Sequence, residues 1–361
     1  MNNLMVLAIA LLFLVGCGTV TGDVVKSDVV KIGVPLPLTG NLAFFGEWMM
    51  NGFELALEDL NENSDVRFEL MYEDTVCEPQ QTSSALNKLY FADKVDAFAG
   101  VFCGSSVKTA AAFVDQNKVM LASPGNNFGK LSDYMFSTEH KVEDESIKLA
   151  QYAYNELGLR KVGIIYFHND WGLEHKRAFS KQFEELGGSI TAVGEFEATT
   201  RDFRTIITKM LSLDSDGIYV VYSSPGVVFN QIREQSDDVF LLGQRGSENP
   251  RLLEIAPYSS EGLVYSYPIA EGEFKDEFVS RYKSEYGEIP SVVALDAYDA
   301  LMILGDAMKI CDGYADCLVE YLSSMESYSG AGGDLKFENG IWDLYRPIQM
   351  RTVRNGEFVL V

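Results

Sequence analysis

"VDAFAGVFCGSSVKTAAAFVDQNKVMLAS", Val95 to Ser123, contains a whole structural unit. "VDAFAGV" reads as a short buried strand, "SSVKTAAAFVDQN" as a helix and "VMLAS" as a second strand. Two strands joined through a helix lie parallel, because a crossover of this length carries the chain back to the same edge. Between the first strand and the helix stands Cys103, followed by Gly104, Ser105 and Ser106. Two readings meet there: a nucleophile on a strand-to-helix turn, or a loop built to hold a ligand.

The same alternation runs outward in both directions. Upstream, "VVKIGVPLPL" and "VRFELMYED" read as strands. "FFGEWMMNGFELALEDLNEN" and "EPQQTSSALNKLYFA" read as helices, the first with Met49, Phe53, Ala56, Leu57 and Leu60 on one face. A second series starts after Glu139, with strands at "KVGIIYFH", "SITAVGEFE", "GIYVVYSS" and "VFLLG" separated by helical patterns. Two such series predict an α/β protein of two doubly wound parallel-sheet lobes. The tail differs: three helical patterns between Phe274 and Met325, then short strands and turns. In open parallel sheets ligands bind beyond the carboxyl ends of the strands. The loops there are "PLPLTGNLAFFGE", "GVFCGSS", "ASPGNNFGK", "FHNDWGLE" and "YSSPGVV". Their glycine, serine, asparagine and aromatic content suits a small-molecule cleft.

The chain has 361 residues and a formal net charge of −24. So acidic a surface repels phosphate backbones and argues against nucleic acid as a partner. "LMVLAIALLFLVG", Leu4 to Gly16, is apolar throughout. As a helix it reaches roughly 20 Å, short of the ~30 Å hydrocarbon layer, and it suits a signal-peptide core over residues 1–16. "LVGC" places Gly16 before Cys17 and resembles a lipobox, although "MNN" brings no Lys or Arg. Residues 17–28 then form a lipidated tether, and the folded part is extracytoplasmic and membrane-anchored. With Cys17 assigned to lipid, Cys77, Cys103, Cys311 and Cys317 remain, with three possible connectivities. Pairing 77 with 103 and 311 with 317 is the local choice in a compartment where disulfides persist. A metal site lacks its C-x-x-C spacing.

The motifs G-x-S-x-G, H-E-x-x-H, G-x-x-x-x-G-K-[ST] and G-x-G-x-x-G do not occur. His140, His168 and His175 read as surface or loop histidines. A pairing with Cys77 removes Cys103 as a nucleophile. The binding reading of the loop is stronger. A turn into a helix leaves free backbone N–H groups at the positive end of the helix dipole. Gly104 admits a ligand close to the backbone, and Ser105 adds a donor. The chemistry is that of a carboxylate site. No enzyme activity and no cofactor are expected.

"IGVPLPLTGNLAFFGEWMMNGFELALEDLN" and "YEDTVCEPQQTSSALNKLYFADKVDAFAGVFCGSSVKTAAAF" resemble the opening of the branched-chain amino acid binding proteins of ABC transporters. "ASPGNNFGKLS", "NDWG" and "AYDAL" follow in family order. The resemblance implies a type I periplasmic binding protein fold: two lobes joined by a three-strand hinge and closing over a ligand. It implies lobes of residues 29–139 with 268–340 and of 140–267 with 341–361, and a disulfide at the first cysteine pair. Carried over by position, Gly104, Ser105, Gly125 and Asn127 would hold a carboxylate. Phe45 and Trp171 would flank the ligand, and Ser224 would stand where a tyrosine is usual. Arg245 departs from the pattern, since the family has there a carboxylate that grips the α-ammonium. Asp296 stands where the amino-acid binders have a pocket tyrosine, and could neutralise Arg245 or take the ammonium. The resemblance implies a monomeric solute-binding protein that hands an amino acid or small organic acid to an ABC permease. The alternative is a ligand-sensing ectodomain that docks on a membrane receptor.

Overall fold

The computed structural model describes residues 29–62, 66–270, 272–337 and 344–361. The apolar leader, the tether and Cys17 lie outside the described residues. The first sheet contains β1 (Val29–Leu36), β2 (Arg67–Asp74), β3 (Ala97–Ala99), β4 (Leu121–Ser123) and β5 (Met135–Ser137). Its order is β2-β1-β3-β4-β5 and every neighbour is parallel. The second contains β6 (Lys161–Phe167), β7 (Ser189–Phe196), β8 (Gly217–Val221), β9 (Phe240–Gly243) and β10 (Val264–Pro268), again parallel. The tail adds a small antiparallel sheet of β11 (Ser327–Gly330), β12 (Gly333–Phe337) and β13 (Leu344–Tyr345). It ends in β14 (Ile348–Arg354) and β15 (Glu357–Leu360), which extend the second sheet antiparallel beyond β10.

Both parallel sheets are buried on two faces, and their near-continuous apolar runs follow from that. On β1, Ile32, Val34 and Leu36 face one core, while Gly33 faces Phe98 and Leu89 on the other side. On β8, Ile218 and Val220 enter one core, and Tyr219 and Val221 the opposite one. Helices cover each face. Pro79–Asn87 and Gly104–Asn117 cover one side of the first sheet. Ala43–Glu62 and Val292–Cys311 cover the other. Val292–Cys311 follows the second lobe in sequence yet is buried almost all round in the first lobe's core. It crosses Ala43–Glu62 so closely that a Cβ on Gly52 would lie 2.2 Å from the Ala294 carbonyl oxygen.

The chain passes between lobes at three places among the described residues. The first is Thr138–Lys141, between β5 and the helix Val142–Asn155. The second leaves β10 at Pro268, and the third is Arg346–Pro347, between β13 and β14. Ile269 donates its N–H to Pro347 O at 2.8 Å, so the second and third lie side by side. β5 was not expected from the sequence: it is three buried residues inside a stretch dominated by turn chemistry.

Candidate ligand-binding cleft

The turn at Cys103 is held in place before any ligand arrives. Val101 has φ 59°, a conformation that strains a β-branched residue. Its N–H is fixed on Pro35 O at 2.8 Å. Cys103 is bonded to Cys77, with Cα atoms 5.5 Å apart. Cys311 and Cys317 are bonded likewise. Cys103 therefore has no free thiol, and the nucleophile reading ends there. It is the N-cap of Gly104–Asn117 and makes no side-chain cap. The first intrahelical bond runs from Val107 N to Cys103 O. The N–H groups of Gly104, Ser105 and Ser106 precede it and are the groups a helix leaves for an acceptor.

This helix end opens onto a cavity between the lobes. Its first-lobe wall is Leu42, Phe45, Trp48, Phe102 and Gly104, with Asn126 beside them. The ring centroids of Phe45 and Phe102 are 4.7 Å apart, and Trp48 stands edge-on to Phe45 at 5.6 Å. The second lobe contributes Asn169, Trp171, Ser223, Gln244, Arg245 and Glu248. Tyr267, Val292 and Val293 close the hinge side. This inner space, about 70 Å³, continues past Leu42, Gly104, Asn169 and Ser223 into a mouth of about 810 Å³ lined by Ser105, His168, Asp170 and Ser224. The contrast suits a small molecule held deep, with water in front of it. Two contacts bridge the rims: Lys108 to Asp170 at 2.6 Å, and the Arg251 guanidinium 5.4 Å from the centre of the Phe44 ring.

Arg245 sets the electrostatics. It lies in the turn after β9, where Gln244 caps the turn by accepting from Gly246 N. Its side chain is 8% exposed. One Nη pairs with Glu139, Nε lies 3.4 Å from Glu145 Oε1, and the backbone N–H donates to Glu145 Oε2 at 3.1 Å. Among the described residues, its other Nη has no partner. Burial opposes the guanidinium charge, yet Glu139, Glu145 and Asp296 hold its proton more tightly than usual. Burial also raises the Glu139 carboxyl to about 7, against the pull of Arg245. Glu145 resists burial through a hydrogen bond with His140 and the charge of Arg245, and stays ionised with a pKa of about 2.

The structure gathers some of the sequence-derived candidates and disperses others. Phe45, Gly104, Trp171 and Arg245 line the inner cavity, and Ser105 and Ser224 its mouth. Gly125 does not line it; a Cβ there would meet Phe102 Cα at 2.5 Å, so its lack of a side chain serves backbone packing. Asn127 is turned away, donating to Glu139 O at 2.7 Å and accepting from Gly129 N at 2.8 Å. Asp296 does not reach the cleft either. It is fully buried and pairs with Arg346 at 2.7 Å, a partner fifty positions away that the sequence reading did not consider. Arg245 has instead the counter-ions Glu139 and Glu145, and both were missed. The histidine expectation is corrected for two of three. His140 and His175 are fully buried, the latter against Ser146 at 2.7 Å, and burial lowers its pKa to about 4. Trp48 and Tyr267 were also missed: on sequence alone, one belongs to a helix's apolar stripe and the other to a strand end.

Residues 29–356 match the family model described as periplasmic binding protein. An amino acid binding protein of Pseudomonas aeruginosa is 28% identical over 252 residues, 67% of each chain. The crystal structure of a leucine-binding protein from Thermotoga maritima is 26% identical with a TM-score of 0.84, covering 92% of this chain and 97% of that one. A solute-binding protein of an ABC transporter from Rhodopseudomonas palustris, solved with 3,4-dihydroxy benzoic acid, shares the fold. It has a TM-score of 0.82 at 22% identity, over 92% and 96% of the two chains.

Proposed function

Because the chain belongs to the periplasmic binding protein family, we propose that it is the lipid-anchored solute-binding protein of an ABC importer, holding a small carboxylate between its lobes. The observation that carries this reading is the pairing of two anion-seeking groups on one cavity. They are the uncapped helix end at Gly104 in the first lobe and the cationic side chain of Arg245, which lines the cavity from the second. A ligand with a carboxylate at one end and an acceptor at the other satisfies both and draws the lobes together. The aromatic wall of Phe45, Trp48, Phe102 and Trp171 covers its apolar body. The moving bodies meet at the three crossings; the boundary expected at 340/341 shifts to Arg346–Pro347, because β13 pairs with β12 and Leu344 packs in the first lobe's core, and Cys17 carries the lipid.

The ligand class follows from Arg245. Two like charges 4 Å apart repel by about 4 kcal/mol at an effective dielectric near 20, so an ammonium is disfavoured beside the guanidinium. Glu145, which stays ionised, and Glu139 both answer that charge, which keeps polar amino acids within the class. Organic acids without an ammonium fit it best, and the dihydroxybenzoate in the Rhodopseudomonas relative is one such acid. Calorimetry of wild type and Arg245→Ala against amino acids and organic acids tests this. An organic acid should bind wild type and lose roughly 10- to 150-fold in the variant, the worth of a charge-assisted hydrogen bond. Binding unchanged by Arg245→Ala would refute the role of this residue. Cys17→Ser should release the protein from membranes, and a wild-type N-terminus without acyl chains would refute the anchor.

A further inference from the structure

Glu139 sits on the first crossing between the lobes, fully buried, with one carboxylate oxygen on Arg245. Among the described residues its other oxygen has no partner. The guanidinium it faces is divided with Glu145, which arrives on the next helix. Asp296 approaches from the helix Val292–Cys311, and Arg346, on the third crossing, neutralises it. His140 lies 3.0 Å from Glu145 Oε1, and burial lowers its pKa. Asp299, also fully buried, faces Arg346 beside Asp296 and accepts from the N–H groups of Ala331 and Gly332, so the cluster sets four buried carboxylates against two guanidiniums. A buried charge without a counter-ion is costly, and a carboxyl sheds that cost by keeping its proton. Glu139, with one oxygen orphaned and its cation shared, is the group placed to do so. Its carboxyl is raised to about 7 by burial, against the opposing charge of Arg245, while Asp296 and Glu145 push it further up.

We propose that seating an anionic ligand on Arg245 is coupled to uptake of a proton by Glu139, so that the lobes close over ligand and proton together. This rests on the binding reading above. The argument is one of shared charge. Arg245 lines the cavity, so a ligand meets its charge there, while one Nη is buried behind with no partner among the described residues. A ligand carboxylate becomes a third claimant on that cation, after Glu139 and Glu145. The attraction that keeps Glu139 ionised weakens, and a new negative charge stands near it. The Glu139 carboxylate then takes one proton from solvent, and no other bond changes. The linkage has a definite sign. The bound state holds the proton more tightly, so affinity is highest at low pH and falls as pH rises above about 7, by at most tenfold per pH unit.

The test uses benzoate, an anion without an ammonium, and leucine, which carries both charges. Wild type and Glu139→Gln are titrated by calorimetry in phosphate and in Tris, which differ in ionisation enthalpy, near pH 7.5. For benzoate on wild type we expect uptake of roughly half a proton or more, and a loss of affinity of roughly fivefold between pH 7 and 8.5. In Glu139→Gln the uptake should vanish and the affinity should not vary with pH. Benzoate bound by wild type with equal heats in both buffers and a flat pH profile would overturn the coupling and leave the binding reading intact. Uptake that persists in Glu139→Gln would overturn the assignment to Glu139. Failure of both probes to bind wild type would overturn the cleft assignment and the coupling together. The buffer comparison on wild type decides the matter even if the variant does not fold.

Discussion

Gly52→Ala tests how tightly the helix that returns from the second lobe is seated. The added methyl would lie 2.2 Å from Ala294 O, 3.0 Å from its carbonyl carbon and 3.2 Å from its Cα. All three are backbone atoms, so no side-chain rotation relieves the contact. Restoring ordinary van der Waals separation requires Ala43–Glu62 and Val292–Cys311 to part by about 1 Å in a core packed like a crystal. Overpacking of this kind costs roughly 1–3 kcal/mol, and the gain in helix propensity from Gly to Ala returns about 1 kcal/mol. The contact is with main chain, so we place the overpacking cost near the top of that range, at about 3 kcal/mol, and the net loss at about 2 kcal/mol. Urea unfolding should show it as a lower midpoint with an unchanged slope. Ligand affinity should fall as well, because Val292 and Val293, which line the cavity, directly precede Ala294. A variant as stable as wild type, with unaltered affinity, would refute the reasoning: it would mean that the two helices separate at no cost.

Other outcomes follow from features described above. Cys77→Ser should destabilise the fold by roughly 3–4 kcal/mol, the chain-entropy value for a loop of 26 residues, and thiol titration of folded wild type should find neither Cys77 nor Cys103 free. Stability should fall as pH rises from about 4.5 to about 7, because the folded state raises Glu139 and Asp299, each through burial, to about 7. Each binds its proton more tightly when folded, so its contribution is complete below the ordinary carboxylate pKa and is lost as pH climbs through 7. Urea midpoints across that range check this, and a midpoint that rises with pH there would contradict it. Lys108→Ala should weaken ligand retention by less than roughly fivefold and only at low salt, since its pairing with Asp170 is substantially exposed; a salt-independent change in dissociation rate would rule out a latch of that kind.

The order of strands and helices was legible because period-two and period-3.6 patterns are local. So was the loop at Cys103, where a strand ends, a helix begins and small residues stand between. β5 was not legible: three residues cannot display a period, and Met135–Ser137 is a strand because β4 lies beside it. The electrostatic half of the site was equally hidden. Arg245 meets Glu139 across 106 positions and Asp296 meets Arg346 across 50. No spacing rule joins such pairs, since only the folded lobes bring them together. The sequence does mark Arg245 as unusual where the resemblance implies a carboxylate, but it cannot say which anions answer it. Asp296 was the nearest candidate by pattern, and the fold gives it to a different arginine.

The seating of Val292–Cys311 in the first lobe also bears on how the molecule is made. A ribosome delivers β1 to β5 first, and the helix that covers one face of their sheet emerges roughly 150 residues later, a delay of about 8–30 s at ordinary synthesis rates. During that interval Ile32, Val34 and Leu36, together with Met49 and Phe53, lack the partner that buries them. β6 to β10 are contiguous and complete before it arrives. The lobe that begins the chain is thus among the last parts to finish, and until then the growing chain carries an open apolar face. The same ordering limits dissection. A fragment ending at Glu139 lacks the helix that covers one face of its sheet, whereas one that joins residues 29–139 directly to 268–345 restores that helix and all three strands of the small tail sheet.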